Sequence, residues 1–98
     1  PWDGKLMGCF ADATAARYGF TRAEQDAFAA ESVRRAVAAV ESGAFADEIA
    51  AVTVKDRKGE RRIERDETPF TVSVEKIPTL KPAFGKDGTV TAASSSSI

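Results

Sequence analysis

Residues 21–49, TRAEQDAFAAESVRRAVAAVESGAFADEI, read as one helix with both ends marked. Thr21 caps the start, and Glu24, three residues on, completes a T-x-x-E capping box. The Thr21 hydroxyl would take the backbone N–H of Glu24, and the Glu24 carboxylate would reach back to the N–H of Thr21. Ala29, Val33, Ala36, Val37 and Val40 recur at steps of three and four, so they share one face. Arg22, Asp26, Glu31, Arg34, Arg35 and Glu41 lie mostly off it. Gly43 is placed to close the helix in a left-handed conformation. A stripe of alanine and valine suits close packing against a neighbour. By itself it specifies an amphipathic surface helix and no chemistry.

Before this helix, residues 5–18 read as another, capped by Asp3, with Leu6, Phe10 and Ala13 on one face and Met7 and Thr14 beside them. Gly19 can end it, and Phe20 then packs back against its last turn. The link through Phe20 and Thr21 is so short that the two helices are expected to form an αα-hairpin, with Tyr18 and Phe28 shared in its core. After Gly43, residues 44–47 form a connector with Phe45 buried. Residues 49–54, IAAVTV, read as a strand, 56–59 as a turn with Gly59 free to take positive φ, and 61–66 as the returning arm with Ile63 its apolar residue. The hairpin is densely charged: Lys55, Arg57, Lys58, Arg61, Arg62 and Arg65 alternate with Asp56, Glu60, Glu64, Asp66 and Glu67. Such interleaving reads either as a solvated edge protected from aggregation or as a rim that meets an anionic ligand.

Further on, Pro69 restrains the link. Ser73 is placed to cap a single helical turn that Pro78 interrupts. Residues 81–84 form a loop with a buried aromatic, 86–88 a turn, and 89–92 a strand. The small residues from Ala92 to Ser97 either let a ligand approach the backbone closely or form a flexible serine linker.

With 98 residues the chain holds at most one modest domain. A net charge of −1 gives no basic excess of the kind nucleic-acid binders carry. No apolar run approaches the roughly 20 residues of a membrane span. The single cysteine, Cys9, has no internal disulfide partner, which favours a reducing compartment. Without histidine the chain has neither the commonest general base nor the commonest metal ligand, so no metal site is expected. Cys9 has no base to activate it and reads as structural. Asp66-Glu67 and Asp47-Glu48 are sequence neighbours whose carboxylates point apart. Gly85-Lys86-Asp87-Gly88 lacks the spacing of a phosphate-binding loop. Both chain ends read as cuts through something longer. The residues alone describe a small α+β piece, a helical pair plus a short β-hairpin, with no complete catalytic site. A non-catalytic helical interaction domain is one reading of that.

Several strings, taken in order, resemble the thiolase family, the acetyl-CoA acetyltransferases and 3-ketoacyl-CoA thiolases. They are Leu6-Met7-Gly8 with Ala11 and Ala15; Tyr18-Gly19-Phe20-Thr21-Arg22 with Glu24-Gln25-Asp26-Ala27-Phe28-Ala29; Gly43-Ala44-Phe45-Ala46-Asp47-Glu48-Ile49; Asp66-Glu67; Leu80-Lys81-Pro82-Ala83-Phe84; and Asp87-Gly88-Thr89-Val90-Thr91-Ala92. Their order and spacing carry the likeness over nearly the whole chain. The resemblance implies an internal segment of a longer enzyme of lipid metabolism. Residues 1–88 would be most of the loop, or lid, domain inserted in the N-terminal half of the thiolase fold, and 89–98 the strand returning to its core. It implies acyl transfer between coenzyme A thioesters, with no covalently bound cofactor and an acyl-CoA as substrate. It further implies a cytoplasmic homo-oligomer, dimer or tetramer, that binds neither nucleic acid nor membrane. In the family a cysteine takes the acyl group as a thioester, a histidine activates it, and a second cysteine handles the proton of the attacking acetyl-CoA. No residue here matches these, and Cys9 matches neither cysteine.

Three positions carry over as coenzyme A contacts. Met7 matches a methionine at the acyl end of the pocket, Ser96 a serine near the pantetheine amides, and Ala92 a small residue on the same wall. Leu6 stands where many short-chain members have histidine, and Ser94 where the family usually has asparagine. Lys76 and Pro69 stand near positions that in some relatives meet the nucleotide end.

Overall fold

The computed structural model describes residues 4–96. Asp3, expected to cap the first helix, and Ser97 lie outside the described residues. The chain divides into two compact units. One joins the described residues up to Ser32 with those from Ser73 onward, and the other runs from Val33 to Val72.

In the first unit, helix α1 spans Met7–Tyr18, starting two residues later than its sequence predicts, and Leu6 precedes it with no side-chain cap. Its C-terminus is built by Gly19 at φ 69°: the Gly19 N–H donates to Ala16 O at 3.3 Å and the Phe20 N–H to Ala15 O at 2.9 Å. This is the six-to-one and five-to-two bonding of a Schellman end. Helix α2 spans Arg22–Glu41. Its capping box is formed as expected: the Glu24 N–H donates to Thr21 Oγ1 at 3.1 Å, and the Thr21 N–H donates to Glu24 Oε1 at 3.0 Å.

The expected packing of α1 on α2 is not what holds this unit. The two helices make little direct contact. Tyr18 and Phe28, read as shared core, are exposed at 63% and 80%. Phe20 stacks instead on Tyr18, ring centroids 6.2 Å apart. The buried residues of α1 are Gly8 and Ala15, and with half-buried Asp12 they make an i, i+4, i+7 face. Leu6 and Ala13 are exposed and Phe10 is half-buried, so the apolar face read from the sequence is not the buried one. Ala29 of α2, Ile77 and Val90 complete the apolar core.

The space between the helices is bordered by the C-terminal segment. After the 3-10 helix Val74–Thr79, which runs through Pro78 rather than stopping at it, the chain turns at 85–88 and passes 89–91 in extended form. The strand expected at 89–92 pairs with no other strand among the described residues. Its polar groups are already committed: the Ala83 N–H donates to Val90 O at 2.9 Å, and the Val90 N–H donates to Asp12. From Ala92 the backbone enters a 3-10 turn, Ala92–Ser94, capped by a second box in which Thr91 and Ser94 exchange bonds.

In the second unit Gly43, at φ 75°, ends α2 as expected, with the Ala44 N–H on Ala39 O at 3.0 Å. Residues 44–48 form further turns, and Phe45 is half exposed rather than buried. The hairpin pairs β1, Val52–Asp56, with β2, Gly59–Ile63, antiparallel, in the register Val52↔Ile63 through Asp56↔Gly59. Both arms lie closer to the turn than the sequence predicts. The loop holds only Arg57 and Lys58, tightened by the Lys58 N–H on Asp56 Oδ1 at 2.8 Å, and Gly59 takes φ 113°. Every strand residue except half-buried Ile63 is exposed, and Lys55 and Glu60, directly opposed, pair at 3.3 Å. Pro69, in the 3-10 turn Thr68–Phe70, is buried, and the Arg65 guanidinium lies 3.5 Å over the Phe70 ring.

Candidate functional site

Small side chains on both helices of the first unit leave a groove of about 500 Å³. Ala11, Ala15, Phe20, Phe28 and Ala29 form its apolar walls, and Val90, Ala93, Ser94 and Ser95 close it from the C-terminal segment. The polar side chains around it are hydrogen-bonded within the protein. Gln25 Nε2 donates to Thr89 Oγ1 at 2.8 Å, Thr14 Oγ1 to Phe10 O at 2.9 Å, and Ser95 Oγ to Thr91 O at 2.8 Å. Ser94 Oγ accepts the Thr91 N–H at 3.0 Å. Hydroxyls already bonded to their own backbone cost a passing apolar chain little desolvation.

Two side chains hold the walls. Arg22 Nε lies 2.9 and 2.8 Å from the two oxygens of Asp26, and its Nη2 donates to Ile77 O at 3.0 Å and Leu80 O at 2.8 Å. This ties α2 to the 3-10 segment and pairs the buried Asp26 carboxylate, which would otherwise be costly to bury. Asp12 Oδ1 accepts the Thr89 N–H at 3.0 Å and the Val90 N–H at 2.9 Å, tying α1 to the extended segment.

None of the residues singled out from the sequence as coenzyme A contacts lines this groove. Met7 is the first residue of α1 and 71% exposed. Ala92 is exposed at the head of its 3-10 turn, and Ser96 is exposed just beyond it. The lining from this segment comes from Ala93, Ser94 and Ser95, between them. Lys76 is exposed and enters no ion pair among the described residues. Cys9 is half-buried. Sequence reading missed Asp12 and Arg22. Both sit on helix faces that turn inward, and periodicity, which counts apolar residues, does not register them. The available signal was Asp12's place between Gly8 and Ala15, four residues after one and three before the other.

A family model described as the thiolase N-terminal domain matches residues 2–98. An acetyl-CoA acetyltransferase of Pseudomonas aeruginosa is 51% identical over 94 residues, which is 94% of this chain and 24% of that protein. One from Yarrowia lipolytica is 44% identical over 98 residues, covering 100% of this chain and 25% of the relative. Among solved structures, the Bacillus anthracis acetyl-CoA acetyltransferase superposes with a TM-score of 0.83 at 43% identity, over 91% of this chain and 23% of that one. The acetyl-CoA acetyltransferase from Syntrophomonas wolfei gives 0.80 at 46% identity over the same shares. The chain thus spans about a quarter of the length of the relatives it matches. An α+β piece built of two helices and a small antiparallel hairpin, matching thiolase structures along nine-tenths of its length, belongs to the thiolase family.

Proposed function

We propose that this chain works as part of an enzyme that transfers acyl groups between coenzyme A thioesters, forming or cleaving a 3-ketoacyl-CoA. The observation that carries the reading is the match to the thiolase N-terminal domain over residues 2–98, beside relatives named acetyl-CoA acetyltransferase. The segment's own part is to bind the thioester. Met7 borders the acyl group, while Ala92 and Ser96 lie along the pantetheine arm. Residues 1–88 act as the lid and 89–98 return to the core fold. The enzyme is a cytoplasmic homo-oligomer of lipid metabolism. Among the described residues no helix is long and apolar enough to cross a membrane.

The physical support is the groove and its exposed rim. A narrow, mostly apolar channel beside small residues suits a flexible pantetheine chain better than a bulky ligand. The exposed Tyr18 and Phe45 suit faces covered by other parts of a longer protein.

Kinetics of three variants in the full-length enzyme test the placement. Ala92→Leu adds bulk next to Ala93, Ser94 and Ser95, which close the groove, on the wall where the pantetheine arm is placed, and is expected to raise the Michaelis constant for acetyl-CoA most. Ser96→Ala removes at most one neutral hydrogen bond, worth about 0.5–1.5 kcal/mol. Met7→Ala is expected to change the preference between short and longer acyl chains more than affinity for free coenzyme A. An unchanged Michaelis constant in Ala92→Leu would sink the placement.

A further inference from the structure

We infer that Asp12 is a positioning residue for thioester binding, fixing residues 89–96 to α1 and so setting the spacing between Met7 and the pair Ala92 and Ser96. The inference rests on the proposed role of those three residues. One carboxylate oxygen, Oδ1, accepts two successive backbone N–H groups, Thr89 at 3.0 Å and Val90 at 2.9 Å. Two donors converging on one acceptor define both the distance and the direction of the backbone, and bonds to an ionised oxygen are the stronger kind.

The chain is also shaped around this side chain. A Cβ on Gly88 would run into the Asp12 carboxylate, and one on Gly85 would lie 3.6 Å from its Oδ2. The turn is closed by the Gly88 N–H on Gly85 O at 2.9 Å, so residues 85–90 wrap one side chain. Position is then passed along. Thr91, with 0% exposure, is locked by the box with Ser94, and its carbonyl takes Ser95 Oγ at 2.8 Å. Ala92 follows Thr91 directly and Ser96 follows Ser95. Met7 begins the helix that carries Asp12, five residues upstream. The carboxylate is therefore the direct hydrogen-bonded link between the element that bears Met7 and the element that bears Ala92 and Ser96.

The test uses the full-length enzyme and compares Asp12→Ala, Asp12→Asn, Gly88→Ala and Thr21→Ala by steady-state kinetics with acetyl-CoA and by thermal melting. Asp12→Ala is expected to raise the Michaelis constant about tenfold or more, the scale of losing bonds to a charged acceptor. Asp12→Asn keeps an oxygen at the Oδ1 place and is expected to stay within about threefold of wild type, because that oxygen still accepts both N–H groups. Gly88→Ala asks the same question from the backbone side, since its methyl displaces the carboxylate; the same rise is expected. Thr21→Ala removes a helix cap whose own side chains, Thr21 and Glu24, do not line the groove, and is expected to lower the melting temperature with the Michaelis constant unmoved. If Asp12→Ala and Gly88→Ala behave like Thr21→Ala, melting lower at an unchanged Michaelis constant, Asp12 is only a structural staple. If Asp12→Asn is as damaging as Asp12→Ala, the position of the acceptor is not what matters and the inference also falls. Ala92→Leu in the same series separates the levels. A rise there without one in Asp12→Ala overturns the inference alone. No change there overturns the channel and the inference with it.

Discussion

Gly8 has no side chain because the Phe84 ring stands where one would go: a Cβ built on its backbone runs into that ring. A glycine inside a helix normally costs roughly 1 kcal/mol relative to alanine, so its presence on the buried face marks a close approach rather than a loose turn. Here the approach lets α1 lie against residues 81–84. Gly8→Ala gains helix propensity and loses the fit. Overpacking of a well-filled site costs about 1–3 kcal/mol, which outweighs the gain. The expected result is a lower denaturant midpoint for the full-length protein at an unchanged slope. A midpoint equal to wild type would mean that Phe84 can swing aside. Arg22 shows the same economy of placement, since one guanidinium both neutralises the buried Asp26 and occupies carbonyls of Ile77 and Leu80. Neither feature can be read from periodicity, because glycine and charged residues count there as neutral or polar.

At the scale of the element, the ends of helices were legible and their partners were not. The T-x-x-E box at Thr21 and the left-handed closures at Gly19 and Gly43 formed as the residues dictate, because each is satisfied within a few positions of chain. The hairpin existed but slid toward its turn. Asp56 closes a two-residue loop with its own side chain, a local bond that outranks the weak apolar pattern of the arms. Residues 89–92 have strand-like composition, yet the donors of Thr89 and Val90 are taken by Asp12, far away in sequence, and the Val90 carbonyl by Ala83 in the preceding loop. The box at Thr21 makes a pH-dependent prediction. The Glu24 carboxyl is held below its ordinary value, chiefly by the Thr21 backbone N–H and then by the Thr21 hydroxyl. A depressed folded value means that the contribution is fully present above the ordinary carboxyl range and is lost as pH falls through the lowered value. Thr21→Ala is expected to cost about 1 kcal/mol near neutrality. The gap between wild type and variant should narrow on acidification below the carboxylate range. A gap independent of pH would show that the Thr21 hydroxyl does not hold the charged Glu24 carboxylate; the larger share, from the Thr21 backbone N–H, remains in the variant.

At the scale of the whole molecule, few large side chains are buried among the described residues. Among the described residues Ile77, 1% exposed, is the largest fully buried apolar one, while Phe28, Tyr18 and Phe45 are exposed. Apolar periodicity shows that such a face will be covered but not by what, which is why Tyr18 and Phe28 read as partners of each other. The chemistry is divided in the same way. In the function proposed above, the groove, its staples and the small-residue segment hold the thioester. Acyl transfer needs a strong nucleophile and a group to take its proton. With no histidine in the sequence and Cys9 half-buried on α1, the 98 residues hold no such pair. Binding alone accelerates nothing unless it favours the transition state over the substrate. The 98-residue chain by itself is therefore expected to show no cleavage of acetoacetyl-CoA above buffer, even at concentrations where the full-length enzyme turns over readily. The measurement is the loss of thioester absorbance in the presence of excess coenzyme A. Turnover that survives repeated purification and disappears in Cys9→Ser would place a working nucleophile on α1 and overturn the division of labour between this segment and the rest of the enzyme.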